Sequence, residues 1–365
     1  MSDMAKCDEN TEKQNIRLSL FLWTTLCGFC MAVMLWYASD KTIVIADMSQ
    51  EQTGLSVESK TAGKQDATLI LRQSYGADGS FYVPLPSGIK PENVVMENRY
   101  MDRELWIYIQ GGQEEFYLKN PIYGDVSRIV EGGSEMQEDG ILLKLEMTDV
   151  LEYRSTLERD ILTVACNKPH ELYDFLVVID PAGDDSEAEG YDYGLSESEL
   201  ALEVARLVQK NFSMSDVRLY LTRTENAEVT DEDRAGLVEA VDADLYIRIG
   251  VSVDSESAET YGIQGWYNEE FFIPGFGNVD LADIVTKEVT IAASNRAVGV
   301  LPAAKDSILR SIRTAAMELS VGYLSNPQEL ALLKQEAYRE KLADGILKAI
   351  QEACDILGQL REEQS

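Results

Sequence analysis

The strongest constraint on this chain is an uncharged run from Leu18 to Ser39. As a helix rising about 1.5 Å per residue it would span roughly 33 Å, enough to cross the hydrocarbon core of a bilayer. The run is apolar on every face and carries no polar stripe, so it is read as a transmembrane segment rather than a buried globular helix. Trp23, Trp36 and Tyr37 lie toward its ends, where aromatic rings favour the headgroup interface. A secretory signal has a shorter apolar region of about 7–15 residues, and Trp36-Tyr37-Ala38 lacks the small-x-small cleavage pattern, so the anchor is expected to stay uncleaved. Lys6, Lys13 and Arg17 precede the run, and Lys41 stands alone in the twenty or so residues after it. That asymmetry puts the N-terminus in the cytoplasm and the bulk of the chain outside.

The charge balance excludes other settings. Lys and Arg number 32 against 64 Asp and Glu, a formal net charge of −32. Nucleic acid needs a basic surface to displace counterions, and anionic lipid needs one to dock on, so neither is an expected partner. A 45% hydrophobic content is ordinary for a globular protein. The only histidine is His170. Zinc hydrolases commonly take two or three imidazoles, and Ser-His or Cys-His pairs need one in place, so both classes are disfavoured. Cys7 falls in the cytoplasmic tail, and Cys27 and Cys30 fall in the span. Cys166 and Cys354 are left outside, to form one disulfide or remain two buried thiols.

Residues 1–17 are read as the tail, 18–39 as the anchor and 40–66 as a polar linker. From 67 to 168 the pattern is short strands: Thr68-Leu69-Ile70-Leu71, Phe81-Tyr82-Val83, Leu105 to Ile109, Ile141 to Leu145 and Ile161 to Val164. Gly-rich turns between them suggest a small β-sandwich. From 169 to 360 the pattern alternates strand and helix. Phe175 to Ile179 is a continuous apolar run, as in a strand buried on both faces. A helix follows from Glu197 to Asn211, behind the cap signal Ser196-Glu197-Ser198-Glu199. Strands Val217 to Leu221 and Leu245 to Ile249 flank a helix from Thr230 to Val241. Later helices are expected over Asp280–Ser294, Pro327–Glu336 (capped by Asn326, with Pro327 first) and Tyr338–Leu357. The fold class is therefore α/β, a mostly parallel sheet covered by helices, preceded by the sandwich and the anchor.

Five segments, in order, resemble the zinc-dependent N-acetylmuramoyl-L-alanine amidases of the Amidase_3 type. They are Val177 to Pro181, Tyr220-Leu221-Thr222-Arg223-Thr224 followed by Arg234, Asp242 to Ile247, Gly265-Trp266-Tyr267 as a hairpin after that strand, and Gly322-Tyr323-Leu324-Ser325-Asn326. The preceding β region is similar, more loosely, to the AMIN domains found before such amidases. The resemblance implies a sheet-and-helix fold of the bacterial envelope, peptidoglycan as substrate, and a zinc held by His, Glu and His beside a second, catalytic Glu. Carried over position by position, the first histidine place holds Gly183, the glutamate place holds Glu197, the second histidine place holds Gly250, and the general-base place holds Ser320. Glu318 is set aside as facing the other side of its strand. One carboxylate cannot hold Zn²⁺, so no metal and no cofactor are expected, although the family uses zinc.

The resemblance thus points to a retained fold without the reaction: a membrane-anchored pseudoenzyme that binds a peptidoglycan fragment or an envelope protein, in a cleft opened by the two glycines. An active amidase with relocated ligands is the alternative. Asp180, Glu197, Arg223, Arg234, Ser320 and Asn326 are the groove candidates. For Glu197 the plainer reading is a carboxylate favoured at a helix N-terminus, and for Arg223 and Arg234 it is internal ion pairing. The loop from Asp180 to Glu199, acidic through Asp184, Asp185, Glu187, Glu189, Asp192, Glu197 and Glu199, is either a Ca²⁺ or Mg²⁺ site or a solvated loop; it lacks EF-hand spacing and is read as solvated. Trp266, Tyr267, Phe271 and Phe272 offer either a sugar-stacking surface or core packing.

Overall fold

A computed structural model describes residues 45–47, 67–74, 79–183 and 195–364. The expected span Leu18 to Ser39 and the acidic stretch Asp184 to Asp192 lie outside the described residues. Among the described residues no helix is long and apolar enough to cross a membrane.

The N-terminal part is built from two sheets. The first has the order β1 (Ile45–Asp47), β5 (Val94–Arg99), β6 (Glu104–Gln110), β9 (Gly140–Met147), β8 (Ile129–Met136) and β2 (Ala67–Thr68). The second has the order β10 (Glu152–Glu158), β11 (Ile161–Asn167), β4 (Ser80–Pro84), β7 (Ile122–Gly124) and β3 (Leu71–Gln73). A short helix, α1 (Glu114–Tyr117), precedes β7. Strict alternation along β4, β5 and β11 turns every second side chain inward. Phe81, Val83, Leu162 and Val164 of one sheet thereby meet Leu105, Ile107, Ile109 and Leu143 of the other in one core. Two sequence readings change here. The run Thr68 to Leu71 is split between β2 and β3, which join different sheets, so Leu69 turns inward while Ile70 stays exposed. Residues 45–47, within the expected linker, pair in parallel with β5; three residues are too few to show a period.

The C-terminal part is a six-stranded mixed sheet in the order β13 (Val217–Leu221), β12 (Phe175–Pro181), β14 (Leu245–Ser252), β17 (Ala315–Tyr323), β15 (Ile263–Tyr267) and β16 (Ala297–Pro302). The first four strands are parallel, β15 runs antiparallel to β17, and β16 is parallel to β15. The hairpin expected after β14 is absent, because β17 inserts between β14 and β15. Both faces are covered, which explains the continuous apolar run in β12. On one face α2 (Glu197–Asn211), α4 (Asn278–Ala293) and α6 (Glu336–Gln364) pack Val204, Val285 and Ile346 over Val177, Ile247 and Leu319. On the other, α3 (Asp231–Val241) and the turn Ile308–Arg310 cover Leu176, Val178 and Tyr246. The last helix extends past the expected Leu357, and α5 (Pro327–Leu333) ends three residues before the expected Glu336.

The two parts share a core. Tyr100, Val150 and Met101 from the β-rich part join Leu176, Val178 and Tyr220. Tyr100 Oη donates to Leu221 O at 2.9 Å and accepts from Leu221 N at 3.0 Å. These bonds satisfy backbone on β13, the outermost strand of the sheet. Glu152 accepts from Arg218 Nε at 2.8 Å and from Tyr220 Oη at 2.7 Å. Cys166 and Cys354 are free thiols buried in separate cores, and desolvation pushes each up to about 12.

Candidate functional site

The site lies at the C-terminal ends of β12, β14 and β17. Parallel register fixes its rows. Asp180 stands beside Arg248, Arg248 beside Glu318, and Glu318 beside Trp266. One step further along, Gly250 stands beside Ser320 and Ser320 beside Gln264.

Asp180 is fully buried and accepts from four donors: Thr222 Oγ1, an Arg234 Nη, Tyr246 Oη and, at 2.7 Å, Arg248 Nη1. Four donors use the capacity of a carboxylate, so Asp180 has nothing left for a ligand. Burial by itself would raise its pKa, but the Arg248 and Arg234 guanidiniums, with the two hydroxyls, hold it below the usual carboxylate value. Arg234 also donates to Pro181 O at 3.1 Å and Gly183 O at 3.2 Å. Arg223, equally buried, donates to Pro181 O at 3.0 Å, Ala182 O at 2.7 Å and Ser198 O at 2.9 Å. Both arginines are internal struts: Arg223 ties the end of β12 to the first turn of α2, and Arg234 ties it to α3.

That strapping settles the shape around Gly183. Its φ is +81°, and a Cβ there would lie 2.7 Å from Ser198 Cβ and 3.0 Å from Ser198 Cα. Only glycine fits this backbone. The expected opening at this point is therefore not formed, because the chain has closed onto α2. At Gly250 a Cβ would meet Ala182 Cβ at 3.4 Å and Glu318 Oε1 at 3.8 Å, so the place of the second histidine is bordered by a carboxylate instead.

The remaining candidates separate. Glu197 is exposed in the first turn of α2, capped by Ser196 Oγ accepting from Glu199 N at 3.0 Å. Ser320 is buried and donates to Gly322 O at 2.9 Å. Asn326 caps α5, accepting from Gln328 N at 2.9 Å and Glu329 N at 3.1 Å. The Glu329 side chain accepts from Tyr323 N at 2.7 Å and from Asn295 Nδ2 at 2.7 Å, so it does not complete a capping box. His170 lies at the opposite end of the strands, its Nε2 2.9 Å from Asp242 O just ahead of β14. From Leu245, where β14 begins, to Gly250 is about 16 Å along the strand, and Asp242 lies further back still. The aromatic group divides too. Trp266 and Tyr267 point to opposite faces, Phe271 lies under the Arg313 guanidinium, and Phe272 is exposed.

The residues present do not suit a zinc ion. Of the four places only Glu197 keeps a donor of the right kind, no imidazole reaches the cleft, and among the described residues no three His, Cys, Asp or Glu side chains are grouped to hold a metal. Two charged residues that motif reading passed over stand here instead, Arg248 and Glu318. The signal available was one charge in each of two otherwise apolar strands. Glu318 does not face away from Ser320: residues two apart in a strand share a face, and Met317, Leu319 and Val321 take the other. Glu318 is held above the usual carboxylate value, chiefly by burial, with Arg248 opposing and Asp180 and Asp231 reinforcing. Among the described residues it makes no hydrogen bond and no ion pair within 4 Å.

Residues 177–352 match the family model described as N-acetylmuramoyl-L-alanine amidase, Amidase_3. The chain is 26% identical over 185 residues to the N-acetylmuramoyl-L-alanine amidase CwlM of Mycobacterium tuberculosis, covering 48% of this chain and 44% of that protein. It is 29% identical over 172 residues to the putative N-acetylmuramoyl-L-alanine amidase YrvJ of Bacillus subtilis, covering 47% of this chain and 32% of that protein. It thus spans less than half the length of these curated relatives. A solved N-acetylmuramoyl-L-alanine amidase from Clostridium difficile 630 is 26% identical, with 50% of this chain and 97% of that one covered at a TM-score of 0.46. The α/β part of the chain, residues 177–352, is thus similar to the Amidase_3 family of N-acetylmuramoyl-L-alanine amidases.

Proposed function

We propose that this chain is a membrane-anchored, extracytoplasmic protein of the bacterial envelope whose amidase-type domain binds peptidoglycan or an envelope protein without cutting it. Leu18 to Ser39 supplies the anchor, and residues 40–66, apart from the sheet strand β1 (Ile45–Asp47), the spacer. The sheets that follow act as an AMIN-like targeting module. The observation that carries this reading is Gly183, where the first metal ligand belongs: its left-handed backbone is pressed against Ser198, so the place for an imidazole is gone as well as the imidazole. Gly250 and Ser320 remove the second imidazole and the general base.

The test is zinc content by elemental analysis, after dialysis of the purified protein against excess Zn²⁺ beside a known amidase, with release of peptide from purified peptidoglycan as a second readout. Substoichiometric zinc and no turnover are expected. One tightly held zinc per chain with turnover would restore hydrolysis as the function. In that case Ala substitution at Glu197, Asp184 and Asp185 together should abolish it. Binding to sacculi separates a wall ligand from a protein partner, which would instead co-purify from membranes.

A further inference from the structure

Glu318 is the carboxylate of this cleft that, among the described residues, makes no ion pair within 4 Å, Arg248 acting on it only from further off. It projects from β17 between Arg248 of β14 and Trp266 of β15. Arg248 is turned away from it, with one Nη 2.7 Å from Asp180 and 4.0 Å from Asp231. The charged groups that act on Glu318 are Arg248 on β14, Asp180 on β12 and Asp231 on α3, and Arg234 on α3 is paired with Asp180. With Glu318 ionised, three carboxylates stand against two guanidiniums, and one negative charge is unbalanced. The unbalanced group is partly open to solvent. Its Oε1 borders the place beside Gly250 where no side chain stands, and the Trp266 indole lies on the next strand.

We propose that Glu318, flanked by Trp266 and the gap at Gly250, is a binding site for a primary ammonium group carried on a peptide. This rests on the reading of the domain as a wall-binding module, and names the ligand chemistry that its cleft selects. A monocation neutralises the site. A divalent ion would find a single free carboxylate beside a fixed guanidinium, too few oxygens for hard-ion coordination. An ammonium donates to the carboxylate as a compact point charge, and an adjacent indole face adds to that attraction. Burial is the chief cause of the raised pKa of Glu318, with Asp180 and Asp231 adding to it and Arg248 opposing, so a proton and an ammonium compete for one partly desolvated carboxylate.

The experiment uses the purified full-length chain, ¹⁵N-labelled at tryptophan, with the Trp266 indole resonance assigned through Trp266→Phe. The probe is acetyl-Ala-Lys-Ala-amide, and the control is the same peptide acetylated on the lysine amine. Saturable shifts of that resonance with the free amine, none with the acetylated peptide, and at least tenfold weaker binding in Glu318→Gln are expected. Equal response to both peptides, or unchanged affinity in Glu318→Gln, overturns the proposal. Should Glu318→Gln fail to fold, the wild-type pH profile decides. Binding must weaken on acidification toward the usual carboxylate range, and must do so in Asp231→Asn as well; a flat profile overturns the proposal. Pelleting with insoluble sacculi is measured in parallel. A chain that pellets but ignores the amine loses this proposal and keeps the wall-binding reading. One that binds the amine but does not pellet keeps the site and loses the wall.

Discussion

At the scale of single residues, the cleft is governed by how each buried charge is satisfied. Asp180 is the centre: two guanidiniums and two hydroxyls converge on a carboxylate with no exposure. Removing it leaves two buried cations without an anion, the costly way to break such a network. Asp180→Ala is expected to lower stability by about 3–5 kcal/mol in chemical denaturation. The pH dependence has a definite sign. Because the folded pKa of Asp180 lies below the ordinary 3.8, its contribution is complete above that value and is lost as pH falls through the folded one. Acid unfolding of the wild type should therefore begin below about pH 4, and the low-pH limb should flatten in the variant. Internal ion pairing was the plainer sequence reading of Arg223 and Arg234, and Arg234 does pair with Asp180; the full network was not legible from residue type. Arg223 and Arg234 stand at family positions, but their role as struts depends on carbonyls from Pro181, Ala182 and Gly183 that only folding brings within reach.

Among elements, the junction between β12 and α2 decides whether an imidazole could stand at the first ligand place. The sequence announces α2 through its cap at Ser196, and the helix begins at Glu197 as read. What the sequence does not announce is the approach of Ser198 to Gly183, which follows from Arg223 gripping both segments. Gly183→Ala should destabilise the protein by roughly 1–3 kcal/mol, through left-handed strain and overpacking together. The drop in midpoint should exceed that of Gly236→Ala, where a Cβ meets nothing within 4 Å. A triple substitution Gly183→His, Gly250→His and Ser320→Glu should not recover tight zinc, because the first imidazole has no room. Stoichiometric zinc in that variant would show the junction to be compliant. Strand positions were easier to read than strand neighbours. β13 and β14 were readable from their apolar runs, whereas the insertion of β17 between β14 and β15 is a pairing of residues more than 40 positions apart and has no local signature.

Across the whole molecule, the two parts are joined by a buried contact rather than strung on a flexible hinge. Tyr100 packs edge-to-face on Tyr220, their ring centroids 5.1 Å apart, while it hydrogen-bonds the end of β13, and Glu152 neutralises Arg218 beside it. Tyr100→Ala should cost about 3–5 kcal/mol, as for other large aromatic truncations in a core. Tyr100→Phe, which keeps the ring, should cost about 0.5–1.5 kcal/mol for the lost hydrogen bonds. If the parts were independent, Tyr100→Ala would melt in two transitions with the α/β one unshifted; a single, lowered transition is expected. The −32 charge is compatible with so close a union because the interface itself carries apolar side chains and one neutralised pair.

The sequence by itself determined the alternation of strand and helix, the family resemblance of the α/β part, and the absence of an imidazole from both ligand places of the motif. Apolar periodicity, capping residues and the identity at a motif position are local properties of the chain. Tertiary structure alone decided that the first ligand place is closed instead of open, that His170 stands at the far end of the strands, that Glu318 makes no ion pair within 4 Å among the described residues, and that Tyr100 caps an edge strand. Each of these depends on the distance between groups remote in the chain, and that distance is set by sheet order and packing.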